Sequence, residues 1–276
     1  MFQTGRKRSA IESAFNLVEL IYHSTVRNVR KTHRSALGGL FMNILQNVLF
    51  IATFYAMFQF FGMRQSFTPA IRGDFLLYIM SGVFLFMVHI KTVSAVTRAE
   101  GPTSPLMQHA PLNTTVTITA AALASLYLQV LSIFVILFFY HVLFTPISIN
   151  DPFGALCMVG LAWFCGVAIG MMLLALKPWA PNFANVAGTI WNRANMVASG
   201  KMFVANTLPG YMLALFAWNP LFHIIDQARG FIFLNYTPHF TSWGYPLKVS
   251  LALIVIGMMG EFYTRQHASK SWGAGR

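Results

Sequence analysis

The sequence predicts an all-α integral membrane protein, because both its composition and the lengths of its apolar runs match a lipid environment. Hydrophobic residues make up 56% of the 276 residues and charged residues only 9%, whereas an ordinary soluble domain has about 25% charged residues. A soluble globule of this composition would leave large apolar patches in water. The composition therefore excludes a disordered chain, a coiled coil and a typical soluble enzyme.

Six apolar runs are long enough to span a bilayer, since a helix needs about 20 residues to cross about 30 Å of hydrocarbon. Among them the fifth is the least apolar, because it contains Arg193, Asn195 and Lys201. We expect a single transmembrane domain over residues 1–276, with six spans within residues 37–264. The runs lie at residues 37–61, 74–96, 116–147, 153–176, 186–206 and 247–264.

A further apolar segment, residues 211–240, precedes the last span, and each of its halves is too short to cross a membrane. Asn219 and Pro220 interrupt the segment. We expect a re-entrant helical hairpin, whose backbone is tolerated where protein or a water-filled cavity covers it. Asp226 and Arg229 lie three residues apart in the second half, which predicts a local ion pair.

Residues 10–35 predict an amphipathic helix that lies in the cytoplasmic interface of the membrane. Glu12 and Glu19 come early and the basic residues come late, an order that complements the helix dipole. A soluble helix packed on another protein is the alternative. The apolar stripe consists of Ile11, Phe15, Val18, Tyr22, Val26 and Val29, and the late basic residues are Arg27, Arg30, Lys31 and Arg34.

The distribution of Lys and Arg predicts the orientation of the chain. Most of them fall in the N-terminal segment, in the loops after the second and fourth apolar runs, and in the C-terminal tail. Cytoplasmic loops collect positive charge, so both termini are expected to be cytoplasmic and the number of spans to be even. The net charge of +12 is explained in this way without nucleic-acid binding. We also expect no cleavable signal peptide, because the first apolar run is too long.

The sequence contains few side chains that could form a catalytic, metal-binding or phosphate-binding site. No two of the seven acidic residues form a close pair, and His and Cys show no metal-ligand spacing. A phosphate-binding loop needs GxxxxGK followed by Ser or Thr, but Met202 follows Gly200 and Lys201 here. We expect no catalytic residue, no metal and no cofactor in this chain, so ATP and Mg²⁺ would bind a separate subunit if transport is active.

Three segments together resemble a known family. Residues 27–41 read RNVRKTHRSALGGLF, residues 199–209 read SGKMFVANTLP, and residues 218–230 read WNPLFHIIDQARG. The chain resembles the membrane permeases of ATP-binding-cassette exporters of the polysaccharide-export type. The loop at residues 104–113, SPLMQHAPLN, looks most like the capsule-export branch.

The resemblance implies a homodimer in the bacterial inner membrane that moves a lipid-linked polysaccharide. Two soluble ATPase subunits would dock beneath it, and further partners would continue export toward the outer membrane. The loop at residues 97–115 would couple to the ATPase through Arg98, Glu100, Leu106, Gln108 and His109. The contact would be braced by Arg27, Arg30, Lys31 and Arg34, and the conduit would be lined by Asn43, Asn47, Tyr55, Phe58, Asn195 and Lys201.

Three alternatives stay open at this point. One is a permease of the same kind for a lipid or a drug. Another is a membrane-embedded enzyme that acts on lipid-linked sugars, which would need an acid and base pair or a metal site at the interface. The third is a scaffold protein, in which the polar residues of the fifth apolar run would have no function.

Overall fold

The computed structural model of the chain describes residues 10–31, 36–60, 71, 73–101 and 114–267. Within these ranges the regular structure is entirely helical, with no strand, which confirms the predicted all-α class. These ranges also contain a single 3₁₀ turn, Ala205–Thr207. The α-helices are α1 (Ala10–Lys31), α2 (Ala36–Phe60), α3 (Phe75–Thr97), α4 (Thr114–Leu143), α5 (Pro152–Leu176), α6 (Pro181–Ala198), α7 (Gly210–Phe216), α8 (Pro220–Ile232) and α9 (Gly244–His267).

Among the described residues, five helices are long and apolar enough to cross a membrane: α2, α3, α4, α5 and α9. This agrees with a multi-pass membrane protein. The predicted fifth span is different, because α6 has only 18 residues and ends at Ala198 rather than near residue 206. The six-span count and the re-entrant hairpin at α7 and α8 therefore stay predictions.

Helix α3 is the centre of the described fold. Protein covers 83% of its most apolar window, whereas only 22% of the corresponding window of α9 is covered. It packs against α2, α4, α5, α6 and α8. Its side chains Ile79, Val83 and Val88 join Leu221 and Ile225 of α8 in the main apolar core. The outer helices thus present most of their surface away from the protein, while α3 presents almost none.

Small residues bring α5 close to α3. A Cβ atom on Gly166 would lie 2.8 Å from the carbonyl oxygen of His89, and one on Gly170 would lie 2.7 Å from Cβ of Val96. Ala162, one turn earlier on the same face, is fully buried. Close backbone approach over small residues is a common way for helices to associate in lipid, where the hydrophobic effect does not drive them together.

Buried polar side chains fix the register of the helices around α3. The Nε1–H of Trp191 on α6 donates to Nε2 of His89 at 3.1 Å. The other ring nitrogen of His89 faces the carbonyl oxygen of Ala162 at 3.3 Å, so His89 joins α3, α5 and α6. Each of these polar groups would be costly in hydrocarbon without its partner.

Asp74 performs a similar role at the opposite end of α3. Its carboxylate caps the helix by accepting from the backbone N–H of Leu76 at 2.9 Å, and it also accepts from the hydroxyls of Tyr140 and Thr145. Burial raises the pKa of Asp74, but these hydrogen bonds outweigh burial and hold the pKa below its ordinary value. Asp74 therefore stays ionised and ties the start of α3 to the end of α4.

We expect Gly166→Leu to destabilise the protein and Gly160→Leu to leave it unchanged. A Cβ atom on Gly160, on the same helix, would meet no neighbouring heavy atom of the described chain within 4 Å, whereas one on Gly166 would meet α3. Overpacking of a closed contact costs about 1–3 kcal/mol. The midpoint of heat-induced aggregation of the detergent-solubilised protein would measure this. Equal midpoints for the two variants would contradict the close α3–α5 contact.

Candidate functional site

A cavity of about 880 Å³ opens between α1, α2, α3 and α4. Four helices build it, so the side chains on its wall come from distant parts of the sequence. Most of the lining side chains on α1 and α3 are polar or charged. The lining residues are Ser24, Arg27, Asn28, Gly39, Met42, Asn43, Leu45, Gln46, Leu49, Lys91, Ser94, Ala95, Arg98, Ala99, Glu100, Thr117, Ala121, Ala124, Ser125, Leu128 and Gln129.

Three cations and one carboxylate line the cavity. Lys91 and Arg98 lie seven residues apart at the end of α3, and Ser94 and Ala95 between them line the same wall, as helical spacing requires. The third cation, Arg27, comes from α1. Glu100 is the single acidic residue of the lining. The cavity therefore carries a net positive charge.

Lys91 connects α3 to α2. Its ammonium group donates to Oε1 of Gln46 in a short hydrogen bond. Among the residues that the structure describes, no carboxylate pairs with Arg27, Lys91 or Arg98. These cations are thus available to an anion within the cavity.

Amide side chains of α2 and α4 also line the cavity, among them Asn43 and Gln129. Nδ2 of Asn43 donates to Oγ of Ser132 at 2.8 Å and to the carbonyl oxygen of Leu128 at 3.2 Å. Nε2 of Gln129 donates to Oδ1 of Asn43 at 2.9 Å. These hydrogen bonds hold the side chains of Asn43 and Gln129 in place. Oε1 of Gln129 is buried and accepts no hydrogen bond from the described part of the chain.

The cavity brings together residues for which the sequence predicts three different roles. Arg27 is predicted to brace the ATPase, Arg98 and Glu100 to couple to it, and Asn43 to line a conduit; all four line the cavity. Arg30 is exposed on α1 and is not part of the lining. The remaining predicted contacts, Arg34, Leu106, Gln108 and His109, together with the side chain of Lys31, lie outside the described residues.

A second polar cluster lies where α6 ends, and it contains two of the predicted conduit residues, Asn195 and Lys201. Lys201 is 3% exposed and its Nζ donates to the carbonyl oxygen of Met196 at 2.6 Å. The same ammonium lies 3.6 Å from the ring centroid of Phe86. Lys201 is therefore held inside the subunit by a helix end and an aromatic face, away from the cavity.

Arg229 of α8 secures the turn that follows α6. Its Nη1 donates to the carbonyl oxygens of Gly200 at 2.9 Å and Phe203 at 2.7 Å, and its Nη2 donates to that of Lys201 at 2.8 Å. The guanidinium carbon lies 4.1 Å from the ring centroid of Tyr78. Gly200 adopts φ of 75°, a conformation in which a side chain would be strained.

Asn219 completes the cluster as the N-cap of α8. Its Oδ1 accepts from the backbone N–H of Leu221 at 3.0 Å, and its Nδ2 donates to the carbonyl oxygen of Ala198 at 2.8 Å and to Oδ1 of Asn195 at 3.0 Å. Pro220 occupies the first turn of α8, where its missing N–H costs nothing. The Asn-Pro pair therefore starts α8 and caps the end of α6 at once.

The predicted ion pair between Asp226 and Arg229 is wrong. The Asp226 carboxylate instead accepts from the hydroxyls of Tyr236 at 2.5 Å and Thr241 at 2.8 Å and from the backbone N–H of Ala205 at 3.2 Å. Spacing along a helix brings the two residues near one another, but the carbonyls after α6 and the loop after α8 are better partners. Burial, followed by the Asp226 carboxylate, raises the pKa of Tyr236, so its hydroxyl remains a donor.

The other predicted conduit residues lie apart from the cavity. Asn47 is fully buried, and its side-chain amide makes no hydrogen bond within the described ranges. Phe58 is buried edge-on against Phe75 at 5.5 Å between centroids. Tyr55 is 37% exposed and accepts from Nε2 of Gln59. Their predicted role in a conduit stays a prediction.

Lys91, Gln46 and Gln129 line the cavity although the sequence predicted no site role for them. A signal for Lys91 does exist in the sequence, because Lys91 and Arg98 share one face of a helix at i and i+7. The amide residues carry no such signal, because polar residues in an apolar run do not reveal which helix they face. Within the described ranges, no three His, Cys, Asp or Glu side chains come together in a way that could hold a metal ion.

No family model matches the chain, and a search of curated proteins finds no match. The resemblance to exporter permeases therefore depends on the quoted sequence segments alone.

We expect Arg229→Met to destabilise the fold strongly and Arg193→Met to have little effect. Arg229 is fully buried and satisfies three carbonyls, whereas Arg193 is exposed on α6. Hydrogen bonds to charged groups contribute about 1.5–3 kcal/mol each. Loss of several of them would therefore lower the free energy of unfolding by more than about 3 kcal/mol. Heat-induced loss of the monodisperse peak in size-exclusion chromatography would measure it. A normal midpoint for Arg229→Met would show that the carbonyls need no buried cation.

Proposed function

We propose that the chain is the membrane permease subunit of an ATP-driven exporter that moves a lipid-linked polysaccharide of the capsule type. It would act as a homodimer in the bacterial inner membrane, with both termini cytoplasmic and two soluble ATPase subunits beneath it. The observation that carries the proposal is the cationic, hydrogen-bonding cavity between α1, α2, α3 and α4.

The chemistry of the cavity suits a polar, anionic cargo. A polyhydroxylated chain cannot enter hydrocarbon, because its polar groups would lose their water partners at a cost of several kcal/mol each. Arg27, Lys91 and Arg98 offer positive charge, and Asn43 and Gln129 offer amide groups. These side chains would replace the water that such a cargo loses on entering the protein.

The position of the cavity suits coupling to a separate ATPase. Arg98 and Glu100 line it and also begin the loop at residues 97–115 that the resemblance assigns to the ATPase contact. The hydroxyl of Thr117 on α4 donates to the carbonyl oxygen of Glu100 at 2.9 Å. A displacement of the loop would therefore reach the cavity wall directly, through helix shifts of the kind that transmit switching in other proteins.

The outward faces of the helices suit a membrane and a second subunit. Apolar side chains on α2 and α6 are exposed, including Phe41, Val48, Phe183 and Ile190. An exposed apolar surface of this kind must be covered by lipid or protein. In the proposed homodimer, part of it would contact the second copy and the rest would contact membrane lipid.

We expect the tagged chain to copurify in mild detergent with a soluble protein that has a GxxxxGK[ST] loop. The reason is that this chain has no phosphate-binding loop of its own. Mass spectrometry of the purified complex would identify the partner and its stoichiometry. Absence of such a partner under conditions that preserve other membrane complexes would contradict the exporter and favour an enzyme or scaffold. Export of a lipid or drug instead of a glycan would favour the alternative permease.

We expect the double charge reversal Arg98→Glu with Glu100→Arg to uncouple ATP hydrolysis from export. Both residues lie where the coupling loop meets the cavity, so the reversal would disturb the contact while the ATPase itself stays intact. Proteoliposomes containing the whole complex would give both rates. Lys248→Glu, at an exposed charge on α9, is the matched control. Unchanged export by the double variant would contradict the coupling assignment.

A further inference from the structure

We propose that α2 has two registers against α3 and α4: the one described above, and a second one in which Asn47 takes the place of Asn43. The change is a screw motion in which each residue of α2 moves to the place of the residue four positions before it. Such a motion is about 6 Å along the helix axis with a rotation of about 40°. Movements of one element past another by one helical turn are known switching transitions.

Asn47 gives the first reason for a second register. Its side chain is fully buried, and neither its Nδ2 nor its Oδ1 makes a hydrogen bond with the described residues. A buried amide in this state costs free energy, because it has lost its contact with water and gained no partner. The present register is therefore unfavourable for Asn47.

Asn43, one turn earlier on the same face of α2, makes the hydrogen bonds that Asn47 lacks. It donates to Ser132 and to a backbone carbonyl of α4, and it accepts from Gln129. Because the two asparagine side chains are identical, a screw motion by four residues would give Asn47 these same partners. Asn43 would then lie where Gly39 is now, and both of these residues line the cavity rather than the apolar core.

The apolar part of the same helix face repeats at the same spacing. Phe50, Phe54 and Phe58 follow one another at intervals of four residues. Phe50 packs against Phe86 with 6.2 Å between ring centroids, and the ring of Phe54 lies 5.1 Å from Nζ of Lys201. After the slide, Phe54 would replace Phe50 against Phe86, and Phe58 would replace Phe54 beside Lys201. Both registers thus use aromatic rings at these places.

The protein holds α2 much less firmly than it holds α3. It covers 28% of the most apolar window of α2, compared with 83% for α3. Most of the moving surface would therefore exchange one lipid contact for another. Residues 61–74 connect α2 to α3, a length of chain that can follow a movement of about 6 Å.

The slide exchanges one set of contacts for another of similar size. It would break the hydrogen bond from Lys91 to Gln46 and the edge-on ring contact that Phe58 makes with α3 at present. In return, Asn47 would gain the hydrogen bonds to α4. Ile51, which already belongs to the apolar core, would move to the buried place that Asn47 occupies now.

A change of register would rebuild one wall of the cavity. Phe50 would lie where Gln46 is now, so the ammonium group of Lys91 would lose its amide partner and face an aromatic ring. A ligand or partner that binds one form of the wall better would shift the balance between the registers. Helix α2 contributes Gly39, Met42, Asn43, Leu45, Gln46 and Leu49 to the lining.

Distances between two spin labels on the full-length chain in detergent, measured by double electron–electron resonance, would test the proposal. Leu37→Cys near the start of α2 and Leu143→Cys at the end of α4 place the labels at exposed positions. Both helices run antiparallel to α3, so the slide would lengthen this distance. Cys157→Ser removes the exposed native thiol, while Cys165 is buried. An excess of unlabelled chain suppresses distances between subunits.

We expect two distance populations that differ by about 6 Å, and four variants should change their ratio in different ways. Gln46→Leu removes a hydrogen bond of the present register and should raise the ratio of the longer to the shorter distance about tenfold. Gln59→Leu is the matched control, because its hydrogen bond to Tyr55 lies within α2 and moves with the helix. Asn47→Leu should abolish the longer distance, and Asn43→Leu should make it predominant.

A single, unchanged distance in the parent chain and in all four variants would overturn the proposal. Equal ratios for Gln46→Leu and Gln59→Leu would also overturn it, because they would show general loosening of α2. This comparison decides even if Asn43→Leu does not fold, since both glutamines are exposed. The measurement needs no ATPase, so two registers without an ATPase partner in the copurification would refute the exporter alone. A single register in a chain that does copurify with an ATPase would refute this proposal alone.

Discussion

The described fold depends on how the backbone is satisfied where α6 ends. Carbonyls exposed by a helix that stops in an apolar setting need donors, because hydrocarbon offers none. Lys201 donates a hydrogen bond to the carbonyl oxygen of Met196, and Asn219 donates one to that of Ala198. Arg229 donates to three more carbonyl oxygens in the following turn. Because Arg229 belongs to α8 and stacks on Tyr78 of α3, this one cluster positions α6, α8 and α3 together.

Much of the fold could be predicted from the sequence. Apolar runs located the five helices that can cross a membrane to within a few residues, because length and hydropathy act locally along the chain. The end of α6 was harder to predict. Polar residues such as Lys201 reduce the hydropathy of the run without revealing that they serve backbone carbonyls. Whether a lysine lines a conduit or caps a helix depends on how the surrounding helices pack.

For the candidate site, too, the sequence reveals individual residues but not how the helices bring them together. Arg27, Asn43 and Arg98 could be singled out as polar or basic residues near helix ends, yet their meeting in one cavity depends on how α1, α2, α3 and α4 pack. The Asp226 and Arg229 pair failed for a related reason. Helical spacing makes an i, i+3 contact possible, but tertiary partners such as Tyr236 and the carbonyls after α6 compete for the same side chains.

The burial of α3 has a consequence for the biogenesis of the protein. Apolar helices insert before they associate with one another, and α3 is made before α5 and α8, which cover much of it. Its polar residues His89 and Thr92, both fully buried in the finished protein, must therefore face lipid or the insertion machinery for a time. The lack of side chains at Gly166 and Gly170 lets α5 pack closely enough to shield them once it has been made.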